Sequence, residues 1–146
     1  VTADQPVTAT VARHAATITK TFRFAASHRL TGLPDGHKCA RLHGHNYQVT
    51  VLLSGDLDDA GMVLDYGELS PLRAYLDRRL DHRHLGAGDV CDGDGKVTDP
   101  AAVDFNPTAE NLAAHLLKVA VGLFGDPVIG VEVCENDTTS ASAVRG

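Results

Sequence analysis

The sequence predicts an α+β domain built in the order β-β-α-α-β-β. Two segments that alternate β-branched or aromatic residues with polar ones come first. Two leucine stripes at three- and four-residue steps follow, and a third alternating segment with a short companion ends the chain. No strand–helix–strand repeat interrupts this order, so an antiparallel four-stranded sheet with both helices on one face is expected. The 146 residues suit one domain with its own apolar core. Residues 1–16 mix Thr, Ala and Val without period and read as a flexible tail, which leaves 17–146 as a single domain.

The first strand lies in ITKTFRFAASHRL, from Thr17, and sets Phe22 and Phe24 on one face. A loop from Thr31 to Ala40 follows, with Pro34-Asp35-Gly36 as its turn. The second strand, HNYQVTVLLSG, stops at Gly55-Asp56 and can pair antiparallel with the first. Leu69, Leu72, Leu76 and Leu80 then mark an amphipathic helix that ends near Asp81-His82, with Pro71 tolerated early in it. Gly86 to Phe105 carries no sustained period and reads as a surface excursion. Within it Asp92, Asp94 and Gly95 look like part of a calcium loop. Val90 takes the first ligand position and Ala101 that of the closing Glu, so calcium is not expected there. Asn106-Pro107-Thr108 caps a second helix with the stripe Leu112, Leu116, Val119 and Leu123, and Gly125-Asp126-Pro127 ends it. VIGVEVCE is a third alternating strand and SASAV a short fourth.

Composition narrows the function. Apolar residues make up 43% and charged residues 22%, ordinary globular usage. Thirteen Lys plus Arg against nineteen Asp plus Glu leave a formal charge of −6, the wrong sign for a protein that grips phosphate backbones. No stretch approaches the ~18 consecutive apolar residues of a membrane span. The opening VTADQPVTATVARHAA has no basic start followed by an apolar run, so a cytoplasmic protein is expected. Cys39, Cys91 and Cys134 are odd in number and form no CxxC, which predicts free thiols.

The chemistry-bearing residues are histidines. His43 and His45 flank Gly44 just before the second strand, and side chains two apart in an extended segment point the same way, so both imidazoles can reach one ion. His28 ends the first strand; it supplies a third nitrogen if the two segments pair, and reads equally as a satisfied core residue. Three His ligands suit zinc and leave the fourth position to water or substrate, as in catalytic sites. His14, His37 and His115 read as structural, and His84 has no obvious ligand partner. Cys39, four residues before His43, is either a small buried hydrophobe or a thiol beside the imidazoles. Asp81-His82 offers a carboxylate beside an imidazole, either a proton relay or a charge feature of a helix end. Glu135, at a strand end, can accept two parallel hydrogen bonds from the amidine-like N–H edge of a pterin or guanine, or is an exposed acid.

Together FAASHRL, LPDGHKCARLHGHNY, GMVLDYGEL, LDHRHL, NPTAEN and VEVCE resemble, in order and spacing, the 6-pyruvoyl-tetrahydropterin synthase superfamily over about residues 20–136. The GHKC-x-RLHGH segment is most similar to the bacterial 6-carboxytetrahydropterin synthases. The resemblance implies the tunnelling fold, in which subunits associate through their sheets into trimeric barrels that commonly pair into hexamers. It also implies Zn²⁺ held by His28, His43 and His45, Cys39 as the catalytic thiol and Asp81 and His82 as the catalytic pair. Glu135 would anchor the pterin ring, with Thr108 and Glu110 in the PTxE segment near the substrate.

By the same resemblance the substrate is 7,8-dihydroneopterin triphosphate and the products are 6-carboxy-5,6,7,8-tetrahydropterin, acetaldehyde and triphosphate, feeding deazapurine biosynthesis of the queuosine type. Two alternatives stand beside it: the pyruvoyl-forming branch or another pterin side-chain lyase, and a non-catalytic oligomer that binds zinc or a pterin. Neither nucleic acid nor membrane is an expected partner. The sequence departs from the family pattern at His84-Leu85-Gly86, where aromatic-Leu-Asn is usual, at Asn136, where Thr is common, at Val144, and in a longer 86–105 loop.

Overall fold

Residues 15–146 are described by a computed structural model. The expected tail lies outside the described residues except for Ala15 and Ala16, which open the first strand, and His14 lies outside them too. The elements are β1 (Ala15–His28), β2 (His43–Asp56), α1 (Ser70–Arg79), β3 (Arg83–His84), β4 (Val90–Cys91), β5 (Val97–Asp99), α2 (Ala109–Phe124), β6 (Val128–Asn136) and β7 (Thr139–Val144).

β1 and β2 pair antiparallel along their whole length, from Ala15 opposite Asp56 to His28 opposite His43. Strand alternation sets Phe22, Phe24 and Ala26 of β1 and Tyr47, Val49, Val51 and Leu53 of β2 on one buried face. Phe24 lies opposite Tyr47, and their rings stack with centroids 4.9 Å apart. β6 continues that face with Val131 opposite Val51 and Val133 opposite Val49. Leu69, Leu72, Leu76 and Leu80 of the α1 region and Leu112, Ala113, Leu116 and Ala120 of the α2 region complete the same core. Among the described residues no helix is long and apolar enough to cross a membrane.

The structure differs from the expected architecture in three places. The sheet has five strands, in the order β3-β1-β2-β6-β7, and β3 runs parallel to β1, with Ala26 opposite Arg83. The chain leaving α1 turns at Asp81-His82 and lays two residues on the outer edge of β1, whose backbone groups need partners. The 86–105 excursion contains the hairpin β4–β5, tied by the Asp92 carboxylate, which accepts from the amides of Asp94 and Lys96 at 2.9 Å each. Finally, Leu123 is 43% exposed; Leu112 and Leu116 of the expected stripe are buried, and Ala113 and Ala120 complete the buried face of α2. Thr108 caps that helix as expected, its hydroxyl accepting from the Asn111 amide at 3.1 Å.

Candidate metal and pterin site

The pairing of β1 with β2 builds the histidine cluster. His28 lies directly opposite His43, and Ala26 opposite His45, so the three rings extend the buried face beyond Tyr47 to the end of the sheet. One ligand atom from each of His28, His43 and His45 lies within 4.8 Å of the others.

Tautomers follow from the hydrogen bonds. His28 Nδ1 lies 2.9 Å from the Pro107 carbonyl, and His43 Nδ1 lies 2.7 Å from the Arg41 carbonyl. A carbonyl only accepts, so both Nδ1 atoms carry the proton and both Nε2 atoms present lone pairs. Those two Nε2 atoms face each other at 3.0 Å. A proton between them would make an imidazolium, and burial, aided by the neighbouring His43 and His45, holds the His28 pKa down at about 4. His45 Nε2 is buried without a hydrogen-bond partner, and burial also lowers the pKa of that ring. Three imidazole nitrogens within 4.8 Å of one another, two of them with lone pairs facing each other and the third without a hydrogen-bond partner, fit a cation such as Zn²⁺. The carbonyls of Pro107 and Arg41 then serve as the outer partners that orient liganding imidazoles.

Glu135, on the same face of β6, brings Oε2 to 3.3 Å from His45 Nε2 without hydrogen-bond alignment. The carboxylate acts on that ring through charge, opposing the effect of burial on the His45 pKa. Cys39 is placed by backbone: the loop returns so that its carbonyl accepts from the Leu30 amide at 2.9 Å, two residues beyond His28. The His37 ring accepts from the Cys39 amide at 3.1 Å and caps the 3-10 turn Lys38–Ala40. The thiol is free and half-buried rather than sealed in the core.

Asp81 and His82 hang on the opposite edge of β1. The Ala25 amide donates to Asp81 Oδ1 at 2.9 Å, and the His82 amide donates to the Ala25 carbonyl at 2.7 Å. Asp81 Oδ2 meets His82 Nδ1 at 2.9 Å, and the Ala25 amide, followed by the His82 contact, holds the Asp81 carboxyl below its ordinary value. His82 adopts φ 58°, a left-handed conformation that costs a non-glycine residue about 1–2 kcal/mol and that these bonds enforce. Neither side chain touches the three histidines, but His82 and His45 border one cleft of about 440 Å³ with Ser27, Asn46, His84 and Asp99. Thr108 is engaged as a helix cap, and Glu110 stands exposed in the first turn of α2.

The sequence reading missed three supports. Tyr47 is fully buried with its hydroxyl 3.1 Å from His28 Nδ1, and its place two residues after His45 on one strand face was the available signal. Pro107, 79 residues from His28, had none. His84 is buried, with Nδ1 3.0 Å from the Ser27 hydroxyl and Nε2 3.0 Å from the Gly88 carbonyl. It ties β3 and the following loop to β1.

Gly44 permits the close pairing that aligns the cluster, since a Cβ there would stand 3.1 Å from the Ala26 carbonyl oxygen. Gly44→Ala is expected to destabilise the protein by about 1–3 kcal/mol and to weaken metal retention, because the strands must part between His43 and His45. Thermal melts with and without zinc check this; an unchanged Tm refutes the crowding.

The sequence profile of the family described as 6-pyruvoyl tetrahydropterin synthase matches residues 17–145. A protein of Rickettsia bellii named 6-carboxy-5,6,7,8-tetrahydropterin synthase is 33% identical over 105 residues, covering 67% of this chain and 75% of its own. A Halobacterium salinarum protein with the name "Probable 6-carboxy-5,6,7,8-tetrahydropterin synthase" is 32% identical over 126 residues, covering 83% of this chain and 80% of its own. Among solved structures, 6-pyruvoyl tetrahydropterin synthase of Caenorhabditis elegans superimposes with a TM-score of 0.70 at 25% identity, covering 93% of this chain and all of that one.

Proposed function

This chain belongs to the 6-pyruvoyl tetrahydropterin synthase family, and from that premise we propose that it is a zinc-dependent lyase. Its substrates are 7,8-dihydroneopterin triphosphate and one water, and its products are 6-carboxy-5,6,7,8-tetrahydropterin, acetaldehyde and triphosphate. The observation that carries the reading is the pair of His28 and His43 lone pairs facing at 3.0 Å beside the orphaned His45 Nε2. The names of the Rickettsia and Halobacterium relatives support the carboxy-forming branch.

His28, His43 and His45 hold the ion. When bound, zinc supplies Lewis-acid polarisation that lowers the proton affinity of the substrate's side-chain hydroxyls. Glu135 binds the N–H edge of the pterin ring through two parallel, charge-assisted hydrogen bonds and so orients the side chain toward the histidines. Cys39, as thiolate, takes a proton from the side chain. His82, its Nδ1 turned to Asp81, exchanges protons through Nε2 during tautomerisation, and Asp81 stabilises the imidazolium this creates. Thr108 and Glu110 contribute further contacts to the substrate. The protein works as a homo-oligomer in the cytoplasm, and its product feeds deazapurine biosynthesis.

Incubation of metal-analysed protein with dihydroneopterin triphosphate, read by mass spectrometry and an aldehyde assay, tests substrate, cofactor and branch together. A carboxypterin with stoichiometric acetaldehyde supports the proposal. A pyruvoyl product without aldehyde moves the protein to the sister branch, and unchanged substrate overturns the reaction. Glu135→Gln is expected to raise KM by about 10- to 100-fold, the worth of a charged hydrogen bond, while zinc content holds. An unaltered KM removes the ring-anchoring role.

A further inference from the structure

Ser27 and His84 stand opposite each other where β3 pairs with β1. The Ser27 hydroxyl lies 3.0 Å from His84 Nδ1, and His84 Nε2 lies 3.0 Å from the Gly88 carbonyl. His84 is 2% exposed, so water does not compete for either nitrogen. Among the described residues no carboxylate is paired with the ring to sustain a buried imidazolium. A neutral imidazole has one proton to give, and a carbonyl only accepts, so the proton sits on Nε2 and Nδ1 presents a lone pair. Ser27 must then donate to it.

That bond fixes what the hydroxyl offers elsewhere. With its one proton spent on His84, Ser27 Oγ keeps only lone pairs, and among the described residues no other group bonds to it. Ser27 lines the cleft of about 440 Å³ that His82 and His45 also border. Gly44 lies directly opposite Ser27, and Ala25 precedes it by two on the same strand face, so these neighbours leave the oxygen uncovered. Holding β3 in place does not require the side-chain bond. The His82 amide already donates to the Ala25 carbonyl at 2.7 Å and the Leu85 amide to the Ser27 carbonyl at 2.8 Å, one on each side of β3. A hydroxyl free to rotate serves donors and acceptors alike, whereas one fixed as an acceptor discriminates between them.

We propose that Ser27 is a specificity-determining residue that accepts a hydrogen bond from a side-chain hydroxyl of the pterin substrate, and that His84 is the positioning residue that makes it an acceptor. The identity of the donor rests on the function proposed above; the acceptor character of Ser27 does not. A substrate hydroxyl of the right configuration gives its proton to Ser27 in the cleft that holds His82. The same hydroxyl with its configuration inverted points the proton away, and the Ser27 lone pairs go unmet.

The experiment compares zinc-loaded wild type with Ser27→Ala, Ser27→Thr, His84→Phe and His84→Asn. Nitrogen-15 NMR of the His84 ring in wild type is expected to show Nε2 protonated and Nδ1 bare. The ratio of kcat/KM for dihydroneopterin triphosphate over its side-chain epimer is expected to fall about 10-fold in Ser27→Ala and in His84→Phe. Ser27→Thr keeps the hydroxyl and His84→Asn keeps an accepting oxygen in place of Nδ1, so both retain the ratio. A fraction of misfolded or metal-free protein scales both substrates equally, so a merely structural role leaves the ratio unmoved. A proton on Nδ1 overturns the acceptor assignment, and a ratio unchanged in Ser27→Ala overturns the substrate contact. A ratio lost in Ser27→Ala and kept in His84→Phe overturns the role of His84. If wild type turns over neither epimer, the proposed reaction has failed, and calorimetry with neopterin and its side-chain epimer reads the contact instead. A binding preference that Ser27→Ala abolishes then upholds it, and equal binding of the two by wild type overturns it.

Discussion

His43→Ala and His45→Ala are each expected to abolish metal binding and catalysis while leaving a folded protein. Zinc measured by plasma emission should fall from about one ion per chain to near zero, because two imidazoles are too few to hold a catalytic ion. Turnover should drop by about 10³-fold or more, the scale of lost Lewis-acid and electrostatic stabilisation. Both side chains are half-buried at the end of the sheet rather than packed among the leucines, so truncation removes ligands without opening the core. His28 is the wrong place for this test: it is fully buried and bonded to Pro107, and its loss would confound metal with fold. Chelator-treated wild type should match the variants, and added zinc should rescue wild type alone. A variant that keeps both stoichiometric zinc and activity would refute the cluster as a metal site.

Much of that cluster was legible because strands report their own geometry. Two-residue alternation put His43 and His45 on one side of a strand, and the antiparallel reading of the first two segments put His28 within reach; the register pairs His28 with His43. The same alternation should have drawn in Tyr47, but a tyrosine among Val and Leu reads as core, and only the folded hydroxyl position marks it as a support for His28. Contacts with no local period were invisible. The Pro107 carbonyl arrives from far along the chain, and β3 is two residues long, too short to alternate. In α2 the stripe found Leu112 and Leu116, which are fully buried, but extended to Leu123, which is exposed; the rest of the packed face is Ala113 and Ala120, small residues that a search for large apolar ones passes over. The pairing of Asp81 with His82 was readable as adjacency; that β1 presents Ala25 to hold both was not.

Cys39→Ala separates the thiol from the metal, and is expected to keep zinc and substrate binding while lowering kcat by about 10²- to 10⁴-fold, the usual contribution of a positioned general base. The 3-10 turn that carries it is fixed by backbone bonds and by the His37 cap, none of which uses the sulfur, so the fold should lose no more than about 1 kcal/mol. Cys39→Ser sharpens the test, since a hydroxyl of similar size fills the same space yet ionises far above neutral pH and cannot serve as the base. Both variants should therefore bind substrate with nearly wild-type affinity and fail at the same step, visible as lost exchange of side-chain protons with deuterated solvent. If Ser restores what Ala loses, the sulfur was filling space. If neither substitution slows turnover, the proton is taken by another group, and His82, which borders the shared cleft, becomes the candidate to vary next.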